Sequence, residues 1–342
     1  MSSRPPTMKD VAAAAGVSLK TVSRHVNGAT NIDPELSARI RDAIVSLGYR
    51  HNLAAASIRP GRSAKVIGLV ISDLANPYWS VIARSVERVC SANGYLLMTV
   101  SSEEDAARHR LLVDRLIAQR VDGLIVVPPR QDTGGWAAPS ASVVPLVAID
   151  RPLQEGEATS DAETAVRADT ILADNAGGAE AATRELVRQG ARNVLFLGDS
   201  LELYTMRERL AGYRRALAPS DDDDRLVVTT AHTAAEAASV VGSLLGEGRV
   251  DAVFAANNRS SIGAIEAFTR AGERLPLIGF DDFESATLVR PAIAVVAQDV
   301  VRMGEAAAEA VLARIAGTAP EPAVTVLPTR LVLRGSERAA SV

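Results

Sequence analysis

The stretch "TMKDVAAAAGVSLKTVSRHVNG", residues 7–28, carries two short helical patterns on either side of a Gly16-Val17-Ser18 corner. In the first, Val11, Ala12 and Ala15 form one apolar stripe; in the second, Val22 and Val26 stand four apart and so share a face. Val17 sits at the corner between them, and Gly16 tolerates the positive φ of a tight turn. The alanines let the two backbones approach closely. The pattern predicts helices over 8–15 and 18–26, with Ser18 as N-cap, and a third over about 34–47. For that third helix Asp33 is the N-cap, Pro34 takes the first helical position and Gly48 ends it.

With Val22 and Val26 turned inward, the opposite face of the second helix carries Leu19, Lys20, Ser23, Arg24 and Asn27. Lys20 and Arg24, four apart, project together. Arginine can grip guanine O6 and N7 with two parallel bonds, and lysine offers a flexible point charge. Ser18, Thr21 and Ser23, with nearby backbone N–H groups, suit phosphate contacts. The pattern reads as a helix-turn-helix arranged to enter a major groove, a solvated basic helix in a small bundle being the other reading of this stretch. Charge agrees: residues 1–62 hold nine Lys/Arg against four Asp/Glu, a net +5, while the remainder holds 28 against 37, a net −9. A basic head on an acidic body calls for an anionic partner at the head.

From Lys65 the pattern changes. Short apolar runs, VIGLVI (66–71), YLLMTV (95–100), GLIVV (123–127), PLVAI (145–149), NVLFLG (193–198), RLVVTT (225–230), DAVFAA (251–256) and LPLIGF (275–280), alternate with amphipathic stretches near 78–91, 104–119, 177–189, 206–217, 233–246, 260–271 and 300–316. Such alternation argues a parallel α/β architecture, and two series of it argue two lobes. Glu155–Asp169 and the acidic run Asp221–Asp224 read as surface loops. Ligands of open α/β sheets sit past the carboxyl ends of strands. There the chain places Asp73, Asn76, Tyr78 and Trp79; Asp150 and Arg151; Asn257 and Asn258; and Asp281 and Asp282. Carboxylates accept from hydroxyls, arginine donates to adjacent oxygens, amides do both, and an aromatic face covers C–H surface. Together they suit a small sugar.

The motif "MKDVAAAAGVSLKTVSRHVNG" resembles the lactose-repressor/galactose-repressor (LacI/GalR) family of bacterial transcription regulators, and the similarity runs through nearly the whole chain. The resemblance implies an N-terminal all-α helix-turn-helix head and a two-lobed α/β body like the periplasmic binding proteins. It implies domains at 1–50 (head), 51–63 (hinge helix) and 64–342 (body), with one lobe at about 64–172 and 299–326 and the other at about 173–298 and 327–342. It makes Leu19, Lys20 and Arg24 the main base readers of a cytoplasmic homodimer on pseudo-palindromic double-stranded operator DNA. It also gives the Ala-rich hinge minor-groove contacts through Ala55 and Ile58, Ile58 matching the leucine that wedges into the central base step. Most relatives have proline where this chain has His51, and many have aspartate where it has Asn258. Similarity to the periplasmic sugar-binding proteins implies a ligand set of Asn76, Tyr78, Trp79, Asp150, Arg151, Arg209, Asn257, Asp281 and Gln298, to which the strand ends add Asp73. Phe280 would stack on a purine, the alternative effector.

Other classes are disfavoured. No apolar run reaches the roughly 18 residues of a membrane span, and the N-terminus lacks a hydrophobic signal segment, which argues against a transport binding protein. The single cysteine, Cys90, lies on an apolar stripe with Ile82, Val86 and Val89 and reads as core. Gly198-Asp199-Ser200-Leu201 spells an esterase signature, but the four histidines (His25, His51, His109 and His232) leave none in the last hundred residues to serve as its base. No phosphate-binding glycine loop or metal-ligand spacing occurs, so neither enzyme activity nor a cofactor is expected. The tail "RLVLRGSERAASV" lacks a leucine heptad for assembly beyond a dimer.

Overall fold

The computed structural model describes residues 4–29, 31–50, 63–130, 144–153, 168–217 and 226–339. The hinge with Ala55 and Ile58, His51 and Asp221–Asp224 lie outside them. Of the loop read at Glu155–Asp169, 154–167 lie outside too. The chain divides into two compact units, Met1–Ala64 and Lys65–Val342.

The first unit holds three helices, α1 (Met8–Ala15), α2 (Leu19–Val26) and α3 (Pro34–Leu47). Gly16 ends α1 at φ 63°, and a side chain there would strike Arg39, whose guanidinium Nη2 donates to the carbonyl of Ala15 at 2.5 Å. Ser18 Oγ accepts from the N–H of Thr21 at 3.1 Å, so α2 starts one residue after the tight corner. Asp33 Oδ1 accepts from the N–H groups of Glu35 and Leu36, and Gly48 closes α3 in the left-handed region. Val11, Ala12, Ala15, Val22, Ile40, Ala43 and Tyr49 form the core. The small side chains of α1 are what let α2 and α3 pack this closely.

The second unit contains two six-stranded sheets of matching order. Its strands are β1 (Val66–Ile71), β2 (Leu96–Ser101), β3 (Gly123–Val126), β4 (Leu146–Ile149), β5 (Asp169–Ala173), β6 (Val194–Leu197), β7 (Val227–Val228), β8 (Ala252–Ala255), β9 (Leu277–Phe280), β10 (Ala294–Gln298), β11 (Val324–Leu327) and β12 (Thr329–Val332). The first sheet runs β11-β5-β4-β3-β1-β2 and the second β12-β10-β9-β8-β6-β7. All pairings are parallel except β12 with β10. The helices are α4 (Pro77–Ala92), α5 (Ala106–Ala118), α6 (Asn175–Arg188), α7 (Tyr204–Ala216), α8 (Ala234–Glu247), α9 (Asn258–Ala271) and α10 (Val300–Ile315).

The chain passes between the sheets three times. It leaves the first after β5, and α6 packs on α7 beside the second sheet. It returns after β10, and α10 packs on α4 beside the first. It then supplies the edge strands β11 and β12, one to each sheet. Asp174 and Asp299 stand at the first two passages and cap α6 and α10 by accepting from Gly177 N at 2.8 Å and Arg302 N at 2.9 Å. β5, β10, β11 and β12 are strands that the apolar runs did not announce, and Asp169, read as loop, opens β5.

Apolar layers cover both faces of each sheet. Cys90 is fully buried against α10 and β1, and burial, helped by Glu87, pushes its thiol up to about 11, so it packs as an apolar side chain. His109 on α5 is fully buried as well, and burial lowers its imidazole to about 4. Between pH 6.5 and 4 the unfolded chain therefore binds a proton that the native chain refuses. A His109→Gln variant cannot titrate. Urea unfolding should show the wild-type stability falling relative to the variant's as pH drops from 7 to 5, by up to about 1.4 kcal/mol per pH unit; a constant gap would show that His109 takes up its proton equally in the native and unfolded chains.

Candidate functional site

On α2 the structure exposes Ser18, Leu19, Lys20, Arg24 and Asn27, while Thr21 and Ser23 are half-buried. Leu19, 43% exposed, is a large apolar side chain presented beside Lys20 at the start of the helix. Ser18 Oγ lies 2.8 Å from Thr21 Oγ1, so these two hydroxyls are fixed together. Arg24 Nη2 donates to the backbone carbonyl of Asn31 at 3.3 Å and to its side-chain oxygen, which orders the guanidinium on the outer face. Asn27 donates back to Ser23. His25 Nδ1 meets Ser37 Oγ at 3.1 Å and ties α2 to α3.

In the second unit the carboxyl ends of the two sheets gather a polar cluster. Asp150 follows β4 and Asp281 follows β9, equivalent strands of the two sheets. Both have left-handed backbones, φ 71° and 74°, a conformation aspartate tolerates better than most residues. Each N–H is held by the next strand, Asp150 N by Ile171 O at 2.8 Å and Asp281 N by Val296 O at 3.0 Å. The Tyr78 hydroxyl faces two acceptors, Asp150 Oδ1 at 3.1 Å and Gln298 Oε1 at 3.2 Å. Gln298 Nε2 donates to Asp281 Oδ1 at 2.5 Å, and Arg209 Nη2 lies 3.8 Å from the same oxygen. One relay, Asp150–Tyr78–Gln298–Asp281–Arg209, thus spans both lobes.

Arg209 is almost wholly buried. Its Nε donates to Asn175 Oδ1 at 2.8 Å, its Nη1 to Ala256 O at 2.6 Å, and its guanidinium lies 3.7 Å over the Phe280 ring. Burial pushes the Tyr78 phenol well above its usual range, reinforced by the charges of Asp150 and Asp281, so it stays a proton donor. Burial likewise raises Asp150, against the opposing pull of Arg151.

Other groups bridge the lobes near the mouth of the cleft. Asn76 caps α4, accepting from Tyr78 N at 3.2 Å, and its Oδ1 also accepts from Asn258 Nδ2 at 2.8 Å. Asp73 accepts from Ala75 N at 2.8 Å and pairs with Arg259. Arg130, past β3, reaches Asp199, past β6, at 3.4 Å. Asp199 also lies 2.5 Å from His232 Nδ1. Asn257 Oδ1 is committed to capping α9 through Ser260 N at 2.7 Å, which leaves its amide nitrogen as the group it can offer.

Three sequence expectations change. Phe280 is fully buried in the second lobe and covered by Arg209, so it backs that arginine and offers no free face to a ligand. Trp79 is 4% exposed and packs into the first-lobe core, edge-to-face with Tyr78 at 4.8 Å. Arg151 does not extend a free fork, because its Nη1 and Nη2 are gripped by Glu104 at 2.8 and 2.7 Å. The sequence reading did not place Glu104, Arg130, Asp199 or Arg259 among the ligand-site residues. Extending the strand-end rule to β2, β3 and β6 would have flagged the first three. Ser200, of the esterase-like signature, accepts from Glu202 N at 3.2 Å in a turn. A cavity of about 990 Å³ lies elsewhere, among Phe268, Pro276, Arg290 and Ile293, and none of the expected ligand residues lines it.

Comparison with known proteins accounts for both units. Residues 7–52 match the bacterial regulatory proteins of the lacI family, and residues 67–319 match the periplasmic binding protein domain. The chain belongs to the LacI family of bacterial regulators. This regulator is 31% identical to the HTH-type transcriptional regulator PtxS of Pseudomonas plecoglossicida, over 96% of its own length and 95% of that protein. It is similar to the structure of a complex of the transcriptional regulator CelR with cellobiose, with a TM-score of 0.68 and 28% identity over 97% of this chain and 99% of that one. It is also similar to the lac repressor dimer bound to operator and the anti-inducer ONPF, with a TM-score of 0.81 and 25% identity over 98% and 100% of the two chains. No helix among the regulator's described residues is long and apolar enough to cross a membrane.

The burial of Arg209 sets it apart from the pairs at the mouth. Arg209→Ala strands the Asn175 oxygen, the Ala256 carbonyl and Asp281, so it should lower stability by about 3 kcal/mol. Arg259→Ala breaks a partly exposed pair and should cost under about 1 kcal/mol. Urea unfolding of the two variants checks the order; equal losses would mean that Arg209 is not structurally committed.

Proposed function

We propose that this LacI-family regulator works in the cytoplasm as a homodimer on a pseudo-palindromic operator, one α2 helix per half-site, and that a small sugar held between its two lobes sets its grip on DNA. The observation that carries the effector half is the Asp150–Tyr78–Gln298–Asp281–Arg209 relay, which offers acceptors and donors from both lobes toward a common cleft. Hydroxyls can replace each partner in that relay, whereas a nucleobase would need a stacking face that Phe280, covered by Arg209, does not provide. Sugar-linked relatives, such as the CelR–cellobiose complex, support the same class. Asp73, Asn76, Tyr78, Asp150, Arg209, Asn257, Asp281 and Gln298 are the proposed effector-facing groups. Ser18, Leu19, Lys20, Thr21, Ser23, Arg24 and Asn27 are the proposed DNA-facing ones.

A sugar alters operator affinity only by binding one arrangement of the lobes more tightly than another. Closure that draws Asp150 and Asp281 onto the same ligand is the arrangement it would favour. The sign of the response depends on which arrangement holds the operator.

Gel shift on the chain's own promoter DNA, with and without pentoses, hexoses and disaccharides, tests this reading. Absence of DNA binding at low salt would reject it. Arg24→Ala should weaken operator binding by about 1–3 kcal/mol and relax base choice at one position per half-site; an equal loss on every sequence would make Arg24 a phosphate contact. Asp281→Ala should bind operator normally and lose the sugar response, and a retained response would remove Asp281 from the site. Light scattering should give a two-chain mass, and a four-chain mass would overturn the dimer.

A further inference from the structure

Every arginine brought to the cleft, among the described residues, already faces a protein carboxylate. Arg259 is paired with Asp73, Arg130 with Asp199, Arg209 with Asp281 and Arg151 with Glu104. Asp150 remains as a fifth carboxylate, sharing Arg151 through a 3.3 Å approach to its Nε. The Arg151 pair is two-pronged, with Nη1 and Nη2 donating to Glu104 Oε2 and Oε1 at 2.8 and 2.7 Å; the arginine side chain is 7% accessible, and a further bond from Nη1 to Pro128 O, at 3.1 Å, fixes the plane of the fork.

Glu104 reaches Arg151 from an unusual backbone. Glu103 and Glu104 both adopt left-handed conformations, φ 55° and 60°, immediately before Asp105 caps α5. Two consecutive non-glycine residues in that region carry a local cost, and the bidentate bond is what the resulting geometry achieves. The effect is chemical. A guanidinium fork is the natural receptor for a ligand carboxylate, and here a side chain of the protein occupies it.

We infer that Glu104 is a specificity-determining residue: by filling the fork of Arg151 it makes the cleft select an uncharged polyhydroxy ligand and reject the corresponding sugar acid. This rests on the sugar-binding reading above and narrows it to a ligand class. A sugar acid would bring its charge next to Asp150 and Glu104 and find no open fork to receive it. Like charges brought together out of water oppose binding strongly, and rejection of this kind is how a site discriminates between isosteric ligands.

The test is calorimetry on the full chain with matched pairs: D-ribose and D-ribonate, D-galactose and D-galacturonate, D-glucose and D-glucuronate, cellobiose and cellobionate. The expected result is that a neutral sugar binds and its acid binds at least about tenfold more weakly. Glu104→Gln, which keeps the shape and removes the charge, should narrow that ratio by about tenfold, while Glu104→Asp, which keeps the charge, should preserve it. The ratio is the readout because general loosening of the fold would weaken both members of a pair alike. Should Glu104→Gln fail to fold, the wild-type ratio decides alone. An acid binding the wild type as tightly as its neutral partner, or a Glu104→Gln ratio equal to the wild type's, overturns the inference and leaves the sugar-responsive reading standing. If no member of any pair binds, the sugar reading itself falls, and this inference with it.

Discussion

Charge buried between two sheets has to be matched where it stands, and that requirement organises the body of this regulator. Isolated carboxylates or guanidiniums in so dry a place would be driven to neutralise or to open the lobes to water. The fold answers by setting equivalent strand ends opposite each other. Asp150 and Asp281 leave β4 and β9 with the same backbone twist, and Tyr78 and Gln298 link them by hydrogen bonds. Gln298 ends β10 at one of the three passages between sheets, paired with Thr329 of β12. The groups that would sense a ligand are therefore attached to the segments about which the lobes would turn.

The two units differ in how they can respond. The head is fixed by local chemistry, with caps at Ser18 and Asp33, turns at Gly16 and Gly48, and one small core. The body holds its polar relay by pairings between residues 17 to 220 positions apart, such as Gln298 with Asp281 and with Tyr78. A ligand competing for those pairings acts on the arrangement of whole lobes, which is the kind of two-state element that coupling between separate sites requires.

Legibility in the sequence followed the same division. The head could be read because its determinants lie within a few residues of one another, and Pro34, Gly48 and the Val22–Val26 spacing each specify a local geometry. Six of the eight apolar runs, those of β1, β3, β4, β6, β8 and β9, could be read because strands buried on both faces are continuous in hydrophobicity. β11 and β12 could not, since Val324 and Val326 lie exposed on an edge and the two strands are separated only by Pro328. Within the site, Asp150, Tyr78, Asp281 and Gln298 were visible as strand-end chemistry or family likeness. Phe280 was misassigned because the residue ending a strand and the residue after it point to opposite faces, and only Asp281 points toward the cleft groups. The partnership of Glu104 with Arg151 was hidden because it depends on a left-handed turn aiming one side chain at another 47 positions on.

The threefold passage of the chain between sheets also governs how this protein can be made. Nearly all of the second lobe is contiguous, but the first stays incomplete until the ribosome delivers α10 and β11. Without them Ile82, Val86 and Cys90 lose the cover of Met303, Ala307 and Val311. A nonsense codon in the gene after Asp299 would leave a finished three-helix reader tethered to a lobe whose Ile82, Val86 and Cys90 face water. Such a product is a substrate for quality-control proteases, so late truncations of this regulator should behave as loss of the whole polypeptide and not as release of a free DNA-binding fragment.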